Sequence, residues 1–273
     1  MSEYYETVRR AFDHAAPTYD DLAAVNPVMA WMRRESLAML TAALPADGLI
    51  LEIGCGTGEE ALALAQRGYR VVATDISPAM IEAARAKDVG GRVSWHVLPA
   101  GQLGDPLRSF EQAAFDGAYA SFGAMNCEPR VDQVAAAVAG LLRPGASFIC
   151  SVMNRWCAWE IAWGLFHLKP GLAFRRLGKG WIPARLAVSE GTVAVPVRYY
   201  SPREFARACS AHFRVRSVGG LPVLLPPPYL APLVKRHPWL LERLEGPERR
   251  WRECRPLSAL GDHFVIVLER TGS

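Results

Sequence analysis

The chain has 273 residues, 51% hydrophobic and 21% charged, with a formal net charge of +4. That is enough apolar material for one large domain or a domain with a cap, and too mild a positive balance to argue alone for nucleic acid. It has no uncharged apolar run of about 18 residues, hence no membrane-spanning helix, and the start Met1-Ser2-Glu3-Tyr4-Tyr5-Glu6 is not that of a secretory leader.

Residues 4–42 read as helical, since Tyr5, Val8 and Phe12, then Val28, Trp31, Met32 and Leu37, recur at three-to-four spacing. Pro17 interrupts them. Next, the apolar run Leu49–Ile53 feeds Gly54-Cys55-Gly56-Thr57-Gly58, and a helix follows over Glu59–Arg67, closed by Gly68. Strand, glycine loop and helix in succession give the glycines meaning. They remove Cβ atoms where the backbone turns and a ligand approaches. Their spacing is G-x-G-x-G, not the G-x-G-x-x-G of a dinucleotide site. A second apolar run, Val71–Thr74, ends at Asp75, placed to accept hydrogen bonds from two ribose hydroxyls.

Ser77 and Pro78 are the N-cap and first residue of another helix. Val93–Leu98 is a third strand, followed by the turn Pro99-Ala100-Gly101-Gln102-Leu103, which holds no acid. Phe115–Phe122 is a fourth strand, with Gly123–Pro129 as the loop at its end. A helix over Val131–Leu142, the breaker Arg143-Pro144-Gly145 and a fifth strand over Ser147–Met153 complete a regular alternation. This is the pattern of a parallel sheet with helices on both faces.

The rhythm then breaks. Residues 154–200 interleave Trp156, Trp159, Trp163, Phe166, Phe174 and Trp181 with Arg155, Lys169, Arg175, Arg176, Lys179 and Arg185, as expected of an inserted cap. A helix over Pro202–Ala211 and strands over Phe213–Val218 and His263–Glu269 return to the core. Between those strands, residues 222–260 are rich in proline and arginine and read as a second cap segment. The six cysteines (Cys55, Cys127, Cys150, Cys157, Cys209, Cys254) show neither a C-x-x-C pair nor zinc spacing, so a reducing, cytoplasmic setting and no metal are expected.

Leu51-Glu52-Ile53-Gly54-Cys55-Gly56-Thr57-Gly58, followed by Val71–Ser77, resembles motifs I and II of the class I S-adenosylmethionine (SAM) methyltransferases. The F-D-x-x-A-P-x-Y-D pattern of Phe12–Asp20 is similar to the N-terminal segment of the ubiquinone/menaquinone- and biotin-pathway members. The resemblance implies an α/β, Rossmann-like, mostly parallel sheet of about seven strands in the order 3-2-1-4-5-7-6, with helices on both faces and a helical, aromatic cap. It divides the chain into an N-terminal helical lid (1–45), a SAM-binding core (46–153), a cap insertion (154–200) and the rest of the core with its second cap segment (201–273). Glu52, Gly54, Cys55, Gly56 and Gly58 would hold the amino-acid end of the cofactor. Asp75 and Ile76 would hold the ribose region, and Met80, Ala100, Gly101 and Gln102 the adenine. Ser121 would stand at the strand end beside the transferred methyl, and Tyr19 in the lid.

In such a reaction the methyl is already activated, so the protein mainly aligns the partners and excludes water. No metal or nucleophilic triad is expected. If the acceptor must lose a proton, candidates are His14, His167, Glu160, Tyr199, Tyr200 and His263, with His14 first because it lies in the lid pattern. Asn126, after the fourth strand, is placed to orient an acceptor. The Asn-Pro-Pro-Tyr signature of amino-group methylation is absent. The aromatic cap points to a small apolar or aromatic molecule, methylated on O or C. Its arginines suit a carboxylate, a diphosphate or an acidic carrier. Two alternatives stay open: RNA along the basic residues 169–185 and 235–255, and a peripheral membrane contact through Trp156–Trp181.

Overall fold

The computed structural model describes residues 3–107, 115–178, 180–188 and 190–272; Lys179 of the basic run lies outside them. The described chain opens with helices α1 (Glu3–Ala15), α2 (Tyr19–Ala24) and α3 (Pro27–Ala43). The core follows as β1 (Leu49–Ile53), α4 (Glu59–Ala65), β2 (Arg70–Asp75), α5 (Pro78–Lys87), β3 (Val93–Val97), α6 (Gly104–Leu107), β4 (Phe115–Ala120), α7 (Val131–Leu141) and β5 (Leu142–Met153). Then come α8 (Ala158–Phe166), α9 (Pro170–Ala173), β6 (Ile182–Val188), β7 (Gly191–Val197), α10 (Pro202–Cys209), β8 (Phe213–Leu221), α11 (Ala231–Arg236), α12 (Trp239–Trp251) and β9 (His263–Arg270).

Seven strands form one sheet in the order β3-β2-β1-β4-β5-β9-β8. Leaving aside the separate β6–β7 pair, this is the expected 3-2-1-4-5-7-6. The first five pair in parallel, and β9 runs antiparallel between β5 and β8. All five residues of β1 are buried, as for a strand covered on both faces. Alternation sends Leu51 and Ile53 to the face covered by α7 and α10, and Ile50 to the face covered by α3, α4 and α5. On that second face Trp31 and Met32 of α3 are fully buried. Parallel pairing gathers the carboxyl ends of β1, β2, β3 and β4 along one edge, where an open α/β sheet binds its ligands.

The helix ends follow the sequence closely. Gly68 takes the left-handed conformation (φ +95°) after α4, with Tyr69 N–H reaching back to Leu64 O. The Ser77 hydroxyl accepts from Met80 N at 3.1 Å and caps α5, whose first residue is Pro78. Two features depart from expectation. The fifth strand begins at Leu142, so Arg143–Gly145 lie within it beside a register shift against β4. And the cap holds a β-hairpin, β6 against β7, whose register sets Pro183 opposite Pro196. Proline cannot donate to a ladder and is tolerated only at edges; in a two-stranded ribbon every residue is at an edge.

Residues 222–260 dock on α3. Glu35, 3% exposed, accepts from Arg249 at 2.7 and 2.9 Å and from Arg252 at 2.8 Å. The fully buried Glu248 of α12 accepts the backbone N–H groups of Val223 (2.6 Å), Leu224 (2.6 Å) and Leu225 (2.9 Å).

Candidate functional site

A cavity of about 250 Å³ opens at the carboxyl ends of β1, β2 and β4. Its floor is the glycine loop, and the glycines serve different ends. A Cβ on Gly54 would overlap the Ala124 methyl, and one on Gly58 would overlap the Trp95 ring. Gly56 (φ +53°) instead faces open space, with the Tyr19 ring nearest at 4.0 Å, so it bares its backbone to the cavity.

Asp75, at the end of β2, holds this loop. Its Oδ2 accepts from Gly56 N at 2.9 Å and its Oδ1 from Ser77 N at 2.8 Å. Each carboxylate oxygen keeps a further acceptor site toward the cavity that Asp75 lines. Burial pushes its pKa up to about 6, against the pull of those two amides.

Glu52 is 1% exposed and lines the cavity, yet its Oε2 finds no hydrogen-bond partner among the described residues. Burial, with the neighbouring Glu60 charge, pushes its carboxyl well above the usual range. Arg33 of α3 lines the same end, 3.9 Å from Glu60 and 3.7 Å from Glu59. The Tyr119 hydroxyl and the Arg33 charge favour the ionised carboxyl. A carboxylate with one unpartnered oxygen, beside a guanidinium, complements the ammonium and carboxylate of an amino acid.

The Phe12–Asp20 segment is clipped over this floor. Asp13 Oδ1 accepts from Ser77 Oγ at 2.6 Å and Ala79 N at 3.3 Å, at the start of α5, while Arg9 pairs with its other oxygen. Asp20 accepts from Thr57 Oγ1 at 2.6 Å and pairs with Lys87 at 2.8 Å, which also meets Glu59 at 2.6 Å. The two aspartates thus fasten the segment to the loops after β1 and β2, and Phe12 and Tyr19 between them line the cavity. Burial raises the Tyr19 hydroxyl.

Ile76, Met80, Leu98, Pro99 and Ala100 line the cavity too, as do Tyr5, Val8 and Glu128. The wall continues with Ser121, Phe122, Gly123, Cys127 and Met153, and with Ala184, Arg185, Leu186, Val195 and Val197 of the hairpin, so Arg185 is the cap cation that reaches the cavity among the described residues. Phe122 has φ +48°, a strained conformation for a bulky residue, worth about 1–3 kcal/mol and typical of a constrained site.

Of the residues singled out in the sequence, the cavity gathers Glu52, Gly54, Cys55, Gly56, Asp75, Ile76, Met80, Ala100, Ser121 and Tyr19. Gly58 lies behind the loop against Trp95, Gly101 backs onto Tyr5, and Gln102 is exposed. His14 is exposed on α1 and outside the lining. Asn126 is fully buried as a bracket: Nδ2 donates to Met153 O (3.1 Å) and Arg198 O (2.7 Å), and Oδ1 accepts from Met153 N (2.8 Å). Its bonding serves the backbone and is directed away from any acceptor.

The other proton-transfer candidates lie outside the lining too. Glu160 is buried beneath Arg175 (2.6 Å) and Arg176 (3.1 Å). His263 Nδ1 lies 2.9 Å from Asp262, whose carboxyl is held well below its usual range by the Arg176 guanidinium 2.6 Å away. Tyr199 and Tyr200 lie against the guanidiniums of Arg176 and Arg198, and His167 Nδ1 lies 2.9 Å from Trp163 O. Arg175 and Arg176, read as possible anion holders, are thus engaged internally. Of the two cap segments only the hairpin reaches the cavity; no lining residue comes from 154–181 or 222–260 among the described residues.

A model of the family described as a methyltransferase domain matches residues 50–145. That match and the relatives below support a class I SAM-dependent methyltransferase. A ubiquinone/menaquinone biosynthesis C-methyltransferase from Citrifermentans bemidjiense is 30% identical over 142 residues, covering 50% of this chain and 58% of that protein. The chain therefore matches little more than half the length of that relative. Among solved structures, the 1,6-didemethyltoxoflavin N1-methyltransferase of Burkholderia thailandensis, with bound S-adenosylhomocysteine, is similar at a TM-score of 0.59 and 19% identity, covering 99% of this chain and 90% of that one. The cyclase SpnF is similar at 0.61 and 15%, covering 97% and 94%. At such identities the likeness is one of fold, and a fold shared with a cyclase leaves the chemistry to the site.

Sequence reasoning missed Arg33, Glu128 and the hairpin. Arg33 sits inside an apolar helix pattern, and Glu128 in a loop without a motif. The hairpin carried a signal, the alternation of Leu186 with its neighbours and of Val193, Val195 and Val197.

Proposed function

We propose that this chain binds SAM and methylates O or C of a small, largely apolar acceptor. The observation that carries the reading is the buried, unpartnered Oε2 of Glu52 over a glycine loop tied to Asp75. An ammonium satisfies that oxygen, and Arg33 faces the accompanying carboxylate. Asp75 accepts from the ribose hydroxyls with the lone pairs its amide partners leave free. Gly56 lets the cofactor lie on bare backbone, and Ile76 and Met80 pack against the base. When bound, SAM supplies a methyl on a cationic sulfur, which needs no further activation. The protein's part is alignment and dryness: Tyr19 and Phe12 close one side, and Phe122, Met153 and the hairpin close the other.

The acceptor half is walled by Met153, Leu186, Val195 and Val197, with Arg185 as a polar anchor among them. Apolar walls with few polar anchors suit an apolar metabolite, in keeping with the quinone-pathway name of the relative above. RNA loses support, because Arg175, Arg176, Arg249 and Arg252 from the two basic runs are spent on internal carboxylates. A lipid-facing version of the same activity is favoured by Leu165, Phe166 and Leu168 at the end of α8, which are 49%, 82% and 89% exposed. Incubation with methyl-labelled SAM and a lipophilic cell extract tests the function. Label is expected in an extractable product together with released S-adenosylhomocysteine. Absence of any heat of binding with S-adenosylhomocysteine at high micromolar concentration would rule it out.

A further inference from the structure

The turn after β3, Pro99–Leu103, has no acidic side chain, yet the cavity it borders is not without one. Glu128, from the loop after β4, is 2% exposed and lines the cavity together with Pro99 and Ala100. It is brought there by α1. The Tyr5 hydroxyl donates to Oε1 at 2.9 Å and lies 3.1 Å from Oε2, while Arg130 N donates to Oε1 at 2.9 Å. Burial pushes the Glu128 carboxyl up, against the pull of the Arg130 backbone N–H, the Tyr5 hydroxyl and, in the turn itself, the Gly101 backbone N–H. A Cβ at position 101 would overlap the Tyr5 hydroxyl, so glycine there is what lets the Tyr5–Glu128 pair reach the turn.

A carboxylate has about four acceptor sites. The Tyr5 hydroxyl, Arg130 N and Gly101 N take three of them, which leaves one for a further donor in the cavity that Glu128 lines. Asp75, Ile76, Met80, Ala100, Tyr5 and Glu128 line the same cavity; the turn starts beside Asp75, whose carbonyl accepts from Leu98 N at 2.7 Å, and reaches Tyr5 at Gly101. Resting on the SAM-binding reading above, we infer that Glu128 accepts a hydrogen bond from the exocyclic amino group of the cofactor's adenine. It does so in place of the acid the turn lacks. Selectivity for a 6-amino purine is then set by the β4 loop and the N-terminal helix. A 6-oxo purine presents an oxygen to that carboxylate, so acceptor faces acceptor, and a buried charge left unpaired is heavily penalised.

The test is calorimetric titration of the full chain with S-adenosylhomocysteine and with S-inosylhomocysteine, its 6-oxo analogue. The wild type is expected to prefer the adenosyl form at least tenfold. In Glu128→Gln that preference falls to near unity or inverts, because the amide can donate to the 6-oxygen. If Glu128→Gln lacks a cooperative melting transition, Glu128→Asp serves: it keeps the charge, withdraws the carboxylate by one methylene, and is expected to cut the preference at least fivefold. An unchanged preference in either folded variant overturns the inference and assigns the discrimination to the turn's backbone. If neither nucleoside binds the wild type, the SAM reading itself has failed.

Discussion

The N-terminal segment and the 222–260 insertion both read as covers for the site, but the structure uses them in opposite ways. Both attach through buried or half-buried carboxylates. Those of the first, Asp13 and Asp20, grip the loops that would carry a cofactor: the start of α5 and Thr57 of the glycine loop. The second is joined to α3 by its Arg249 and Arg252 on the Glu35 carboxylate, and to its own entry loop by Glu248. The first contributes Tyr5, Val8, Phe12 and Tyr19 to the cavity and the second contributes nothing among the described residues. Composition alone cannot separate a lid from a buttress; the partners of the carboxylates can.

If that division is right, damage to the two regions has separable effects. The largest is expected for Glu248→Ala, which strands the buried amides of Val223 and Leu225. At 1–3 kcal/mol for each unsatisfied group, chemical denaturation should show a loss of about 3–5 kcal/mol, with S-adenosylhomocysteine affinity in the surviving folded protein unchanged. A fall in affinity would mean that the buttress reaches the site after all.

Asp20→Ala should do the reverse. Asp20 and Lys87 are partly exposed and only the buried Thr57 hydroxyl is stranded, so stability drops by about 1–2 kcal/mol. Cofactor affinity falls about tenfold, mainly through faster release seen by stopped-flow, as the lid loses its hold on Thr57. Val195→Asp places a charge in the acceptor wall. It should abolish methyl transfer to an apolar acceptor while leaving S-adenosylhomocysteine binding within about threefold, since an unpaired buried charge repels the apolar partner.

The smallest effect is one of pH. Asp75 must be ionised to accept from ribose, and its pKa stands at about 6. The share of the affinity that Asp75 supplies should be flat above pH 7 and fall below 6, by at most about tenfold per pH unit for one proton, as the difference between the wild type and Asp75→Asn. Because the folded value is raised above the ordinary carboxylate value, this group's effect on apo-protein stability runs the other way. It penalises the fold above pH 6, and the penalty is relieved as pH falls toward 4.

The sheet and the glycine-loop floor of the cavity were readable from the sequence because both rest on local rules. Continuous apolar runs mark strands buried on two faces, and the glycines and Asp75 stand at fixed distances along one strand–loop–helix unit. Ser77-Pro78 and Gly68 announced their helix ends for the same reason. The acceptor half was not readable, because it is assembled from segments far apart in the chain. Met153, Leu186 and Val195 carry no motif, and Arg33 and Glu128 gain meaning only from what the fold sets beside them. His14 and Asn126 show the converse. Both are chemically capable residues near a recognised pattern; one faces solvent and the other has its hydrogen bonds taken by backbone.

Calorimetric titration of S-adenosylhomocysteine into the wild type and into Asp75→Ala bears most directly on the whole account. Micromolar binding by the wild type and a loss of at least about a hundredfold in the variant, the scale expected when charge-assisted hydrogen bonds are removed, is the predicted result. Equal affinity in the two proteins would contradict the placement of a nucleoside on Asp75 and the function built on it.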